Sequence, residues 1–262
     1  MTWEQSVSAS FTARHESAHA DDAHRVLLSL ERTREFMAPL FPRGPEEITV
    51  VLHGTMAELT LTNPLLPARW LLTAPAARRY VAGWAGHREL HVLTPAALRA
   101  RASNVPGSRE MLALSAACLY ARRVITENNR DLAKVMALVR ARRSLRWAWL
   151  LDGSAAWFSG QVEHARPAIA RRLREGSRPA FPPSARDALL LGGTVIDLLA
   201  REQGARAAAR FCTRLHPDGP RAALSDAFAG RPLSRTEDAW HSHLARLAGA
   251  GGAGGSLAVT DA

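Results

Sequence analysis

Trp149-Leu-Leu-Asp-Gly-Ser-Ala-Ala-Trp157 decides how the whole chain is read. Its one charge, Asp152, stands inside an apolar run that begins at Trp147. A helix over 147–159 therefore carries the carboxyl into a partly buried position. There it serves either as a polar group in a cleft or as a cap bonded to backbone amides. Upstream, Ser108 to Asn128 spaces Met111, Leu112, Leu114, Ala117, Cys118, Val124 and Ile125 for a second helix with a broad apolar face. Further helices are expected over 131–145, 167–175, 184–203, 205–215, 220–229 and 236–247. The Gly-, Ala- and Ser-rich stretch from Gly249 to Ala262 reads as a disordered tail.

Toward the N-terminus the period changes. Ser8 to Arg14 alternates, with Phe11 and Ala13 on one face and Thr12 and Arg14 on the other. Asp21 and Asp22 offer an N-cap and a negative first turn to a helix whose apolar positions run from Val26 to Leu40. Pro39 and Pro42-Arg-Gly-Pro45 end it. Ile48-Thr-Val-Val-Leu52 is a β-branched run, hence a buried strand. Met56 to Leu59 starts a short helix that Asn63-Pro64 and Leu66-Pro67 break. Tyr80 to Trp84 and Glu89 to Leu93 form a hairpin about Gly86-His87, and Thr94-Pro95 to Pro106-Gly107 is a connection. The expected fold is α+β. A small N-terminal mixed sheet with one long helix occupies residues 1–107, an all-helical half 108–248, and the tail 249–262.

The chain has 262 residues, 47% hydrophobic and 22% charged, which excludes wholesale disorder. No run of 18 uncharged apolar residues exists, so no spanning helix and no membrane partner is expected. Met1-Thr-Trp-Glu-Gln-Ser6 lacks a basic and an apolar leader region, which points to the cytoplasm. Cys118 and Cys212 are too few for a disulfide framework and read as reduced thiols. The net charge is +10, and all but Lys134 of the 34 basic residues are arginine. Arginine and alanine together are abundant in proteins from GC-rich genomes. The basic residues are spread along the chain among Asp and Glu, and the aromatic residues do not alternate with them as a stacking platform would. Nucleic acid is thus not the expected partner. As a rival reading, it would use the dense run Arg140-Ala-Arg-Arg-Ser-Leu-Arg146, which otherwise serves as a solvated helix end.

His15-Glu-Ser-Ala-His19 satisfies H-E-x-x-H letter for letter. A helix would bring His15 and His19 onto one face to share a zinc ion, with Glu16 as general base and His24 the nearest third ligand. The neighbours Thr12, Arg14, Ser17, Asp21 and Asp22 are polar, whereas a metal-bearing helix is packed in a core. The upstream alternation also favours a strand, which would hold the two imidazoles about 13 Å apart.

The nine residues from Trp149 resemble the W-L-x-E-G-x-A-x-[YW] segment of gluzincin metallopeptidases of the peptidase MA-like kind. The order of elements from residue 8 to 248 is similar as well, including an aromatic in the last helix pair, here Trp240. The resemblance implies a zincin-like fold, with Asp152 at the position of the third zinc ligand, a Glu in the family. The family's L-x-x-H-E-L-x-H helix aligns with Met111-Leu-Ala-Leu-Ser-Ala-Ala-Cys118. Leu114 then replaces the first His, Ser115 the general-base Glu and Cys118 the second His. One soft and one hard ligand do not make a zinc site, and the apolar flanks of Cys118 argue against a nucleophile. The implied function is a catalytically inactive metallopeptidase-like protein without cofactor. It would bind a peptide or protein partner in the former active-site cleft, beside Glu89, His91, Trp149 and Trp157, with the edge strand near Glu89 to Leu93 adding the peptide by backbone pairing. The alternative is an active zinc peptidase built on His15, Glu16 and His19.

Overall fold

A computed structural model describes residues 3–132 and 137–253. Strands β1 (Trp3–Val7) and β2 (Phe11–Glu16) form a hairpin, and a 3-10 turn over Ser17–His19 leads into helix α1 (Ala20–Met37). Strand β3 (Ile48–His53) is followed by two short helices, α2 (Met56–Thr62) and α3 (Leu66–Leu72). Then come β4 (Gly83–Ala85), β5 (Glu89–Leu93) and α4 (Pro95–Arg101). The remainder is helical: α5 (Ser108–Ala113), α6 (Ser115–Asn128), α7 (Ala137–Arg146), α8 (Ala148–Phe158), α9 (Gln161–His164) and α10 (Arg166–Glu175). A π turn at Ala188–Gly192 then opens α11 (Gly193–Gln203), followed by α12 (Ala205–Cys212), α13 (Pro220–Ala227) and α14 (Leu233–Ala253).

The strands are ordered β1-β2-β3-β5-β4 in one mixed sheet. β2, β3 and β5 are parallel, and the outer strands β1 and β4 are antiparallel to their neighbours. The alternation of β2 buries Phe11, Ala13 and His15. With Val50, Leu52, Leu90 and Val92 they face α1 and α6, where Phe11 meets Tyr120 edge-on at 5.1 Å. The opposite face carries Trp84, His53 and His91 beneath α2. His53 Nε2 lies 3.0 Å from His91 Nδ1, and His91 Nε2 lies 3.1 Å from the Glu89 carboxylate. Trp84 stacks on His91 and donates from Nε1 to Thr62.

Helix α8 is the hub of the helical half. All of its residues are buried except Trp157, which is half-buried. Gly153 lets it lie directly on the π turn, since a methyl group there would overlap the backbone of Gly192. The apolar core runs unbroken from Phe11 through Tyr120 and Trp149 to Trp240, so sheet and helices share one interior.

Several expectations are corrected. β1 was not anticipated because its pattern is almost wholly exposed and gives no burial signal. α3 and α4 form where the prolines alone imply a break and a connection. Pro67 stands in the first turn of α3, and Thr94 caps α4 from its side chain with Pro95 at the first helical position, where a missing N–H costs nothing. β5 is interior and β4 is the edge, so the sheet margin is not at Glu89 to Leu93. Asp21 and Asp22 lie in the first turn of α1, whose N-cap is His19. The single helix over 108–128 divides at Leu114. There Gln161 Nε2 bonds the Met111 carbonyl at 2.7 Å, taking the acceptor that an unbroken helix would offer to the Ser115 amide. α14 continues to Ala253, so the proposed tail does not begin at Gly249, and its residues 254–262 lie outside the described chain.

Two outcomes follow. Gly153→Ala forces α8 off the π turn and lowers stability by about 1–3 kcal/mol in urea unfolding with little change in m-value. Burial, then the neighbouring His91, lowers the pKa of His53 from 6.5. The unfolded chain therefore takes up the proton first, and stability present above that value is lost as pH falls through it. His241, lowered mainly by burial, acts in the same window. The drop in melting temperature between about pH 7.5 and 5.5 is expected to be smaller in His53→Gln than in the parent chain.

Candidate functional site

Helix α6 turns Ser115, Cys118, Leu119 and Arg122 toward α8, the spacing of one helical face. Asp152 of α8 stands opposite them. From above, Arg69 of α3 reaches in and donates from Nη2 to Asp152 Oδ1 at 3.2 Å. Arg122 Nη1 contacts that same oxygen. On the sheet side β4 comes down on the helix at Gly83, where a side chain would collide with Leu119 and the His91 carbonyl. The enclosed cavity has a volume of about 30 Å³.

The side chains are 10% exposed at Asp152, 23% at Arg122 and 34% at Arg69, so the carboxylate is the deepest charge and Arg69 its gate to solvent. Burial first, and the facing Arg69 second, bring the Arg122 pKa down to about 9, which still leaves it charged at neutral pH. Arg69 is lowered by burial as well. Burial pushes the Cys118 thiol up to about 11, despite the two guanidiniums, so it is held as a neutral thiol and not as a nucleophile. The Ser115 hydroxyl is buried without a hydrogen-bond partner.

A second concavity, of about 490 Å³, shares Arg122 with this cavity. It runs between the β4 margin (Ala85, Gly86, His87) and the outer face of α6 (Arg123, Thr126, Glu127), with Ser144 of α7 at its side. Arg123 spans it, donating from Nε to the His87 carbonyl and pairing with Glu127. Gly86 N–H bonds the Glu89 carbonyl and Leu93 N–H the Ala82 carbonyl. By alternation, the backbone groups of Gly83 and Ala85 point away from β5; Gly83 is buried against α6, and Ala85 carries the accessible pair.

Of the positions expected from sequence, Ser115, Cys118 and Asp152 come together. Leu114 does not: it faces a different hollow, with Phe36, Trp157 and Ser159. The residues four apart that face Asp152 are Cys118 and Arg122, one helical turn beyond the expected register. Glu89 and His91 lie on the sheet face away from α6. Trp149 is enclosed in the core against Trp147 and Phe211. Trp157 donates to Asp197 of α11, outside the cavity. Burial raises the Asp197 pKa, but bonds from His243, Arg201 and Trp157 outweigh it and hold it at about 2. Sequence reasoning missed Arg69 and Arg122. The i, i+4 relation to Cys118 could have found Arg122, but nothing local points to Arg69.

The H-E-x-x-H letters do not form a helix. His15 is a fully buried strand residue bonded to Ser6 Oγ and the Glu16 carbonyl, Glu16 ends β2, and His19 lies in the 3-10 turn beside Asp22. Among the described residues, no three His, Cys, Asp or Glu side chains are grouped to hold a metal ion. The cleft donors do not fit zinc either, because a guanidinium already sits against the one carboxylate. In the Arg140 to Arg146 run, Arg143 Nη1 donates to the Asp131 carbonyl, and Arg146 lies against Gly219. None of the described helices is long and apolar enough to cross a membrane.

Comparison with protein-family models, with curated proteins and with solved structures finds no match. The geometry therefore carries the functional reading.

Removing the carboxylate tests the network. Asp152→Ala strands two guanidiniums at one cavity and lowers stability by about 3 kcal/mol. The double variant Arg122→Met/Asp152→Leu, which removes charge in pairs, loses less than the single variant in the same urea titration.

Proposed function

We propose that the chain is a non-catalytic protein on a zincin-like scaffold that binds an extended peptide segment of a protein partner. The peptide occupies the groove between the β4 margin and α6. It adds as a further strand at the accessible end of β4, where its backbone meets the outward groups of Ala85. Arg123 and Arg122 line the opposite wall and favour acidic side chains.

The observation that carries this reading is the edge strand whose accessible end, from Ala85 to His87, lies along a groove that reaches Arg122, itself in contact with Asp152. Three features support the scaffold: an antiparallel edge strand, a helix directly beneath it, and a second helix carrying Asp152-Gly153 across from it. Hydrolysis lacks its means in this arrangement. The cavity offers neither a general base at Ser115 nor a carboxylate free to ligate a metal. The segment that supplies Arg69 also exposes Leu61, Leu65, Leu71 and Leu72, an apolar surface suited to the body of a protein partner.

Selection of random octapeptides against the full chain tests the proposal. The selected peptides should compete with one another for one site. They should lose at least about tenfold in affinity, roughly 1.4 kcal/mol, with Arg123→Glu or when alternate peptide amides are N-methylated. Peptides indifferent to both changes would contradict groove binding by strand addition.

A further inference from the structure

We propose that the cavity between α3, α6 and α8 is a binding site for one monovalent anion no larger than a carboxylate group, held by Arg69, Arg122 and the Ser115 hydroxyl. This inference stands apart from the peptide reading, because it concerns the cavity and not the groove.

The charge count is the first reason. Arg69 and Arg122 both converge on the single Oδ1 of Asp152, leaving one positive charge uncompensated in a mostly buried place. Such a charge is costly unless a counter-ion accompanies it. The second reason is an orphan donor. Ser115 is 6% exposed, its hydroxyl lines the cavity, and it has no partner. A buried polar group of this kind normally has one. Ser115 also stands in the first turn of α6, a 14-residue helix, near its positive end.

Size and chemistry then narrow the ligand. A volume of about 30 Å³ admits an object of one or two water molecules. That suits a halide, a formate or the terminal carboxylate of a peptide, and excludes gluconate. Phosphate and sulfate are larger and bring more charge than the single excess guanidinium balances. A metal cation is repelled by the two arginines, and a water molecule would satisfy Ser115 while leaving the charge unbalanced.

Thermal unfolding of the full chain at constant ionic strength is the test, with gluconate as the bulky reference anion. Replacing gluconate by bromide or formate should raise the melting temperature saturably, by about 3 °C at a tenfold excess over Kd. Ser115→Asp supplies the negative charge covalently and should abolish the dependence. Ser115→Val fills the cavity without charge and should weaken it, which covers the case in which the aspartate variant does not fold. A second arm, run in gluconate, compares short peptides with free and amidated C-termini. Stabilisation by the free acids alone assigns the site to a peptide terminus, and stabilisation by bromide or formate assigns it to a free ion. No shift in either arm, equal shifts with gluconate, or a shift that persists in both Ser115 variants would overturn the proposal.

Discussion

The contact of Asp152 with Arg122 and Arg69 ties together three segments far apart in the chain: α8, α6 and α3. Each of the three depends on it in a different way. α8 is apolar throughout apart from this carboxyl and two small residues, and it could not hold a bare charge in its buried face. α6 brings the counter-charge at a position where its own face is otherwise small or apolar. α3, seven residues with two exposed leucines at its end, is fixed over the cavity by the reach of Arg69. Removing one partner of such a pair leaves an uncompensated buried charge, so all three segments are held to this arrangement.

The placement of the sheet follows from close approach. Gly83 lets β4 settle on α6 at Leu119, and Gly153 lets α8 settle on the π turn. Both are points where backbone meets neighbour with no room for a side chain. They bring the edge strand, Arg122 and Asp152 within reach of one another. The groove outside and the cavity inside are consequences of that convergence, with Arg122 as their common wall. In that cavity the thiol is held neutral, the serine has no base beside it and the carboxylate is engaged by guanidiniums, and the binding role we propose is drawn from this.

Much of the fold was legible in the residues because burial is periodic. The alternation of Phe11 and Ala13 extends to His15, and this parity put the first two of the H-E-x-x-H letters in a strand and left His19 to the turn after it. The same parity in β5 sets Leu90 and Val92 against α6 and therefore puts His91 on the other face, although the family resemblance implied a place in the cleft. The meeting of Ser115, Cys118 and Asp152 was legible from the two helices. The register was not, because Gln161, 50 residues from Met111, competes for its carbonyl and divides the helix at Leu114. Arg69 was invisible for a related reason. Its contact with Asp152 spans 83 residues, and it lies in a helix whose first-turn Pro67 reads as an interruption. Long-range contacts decide such details, and local propensity does not carry them.

On the proposed zincin-like scaffold, a guanidinium occupies the place beside Asp152 where a metallopeptidase of that kind would hold its metal. Elemental analysis of the purified, untagged full chain, before and after dialysis against a chelator, addresses it most directly. Zinc should be far below one per chain, and the melting temperature the same with and without the chelator. One tightly bound zinc per chain, lost together with thermal stability on chelation and retained poorly by Asp152→Asn, would contradict it.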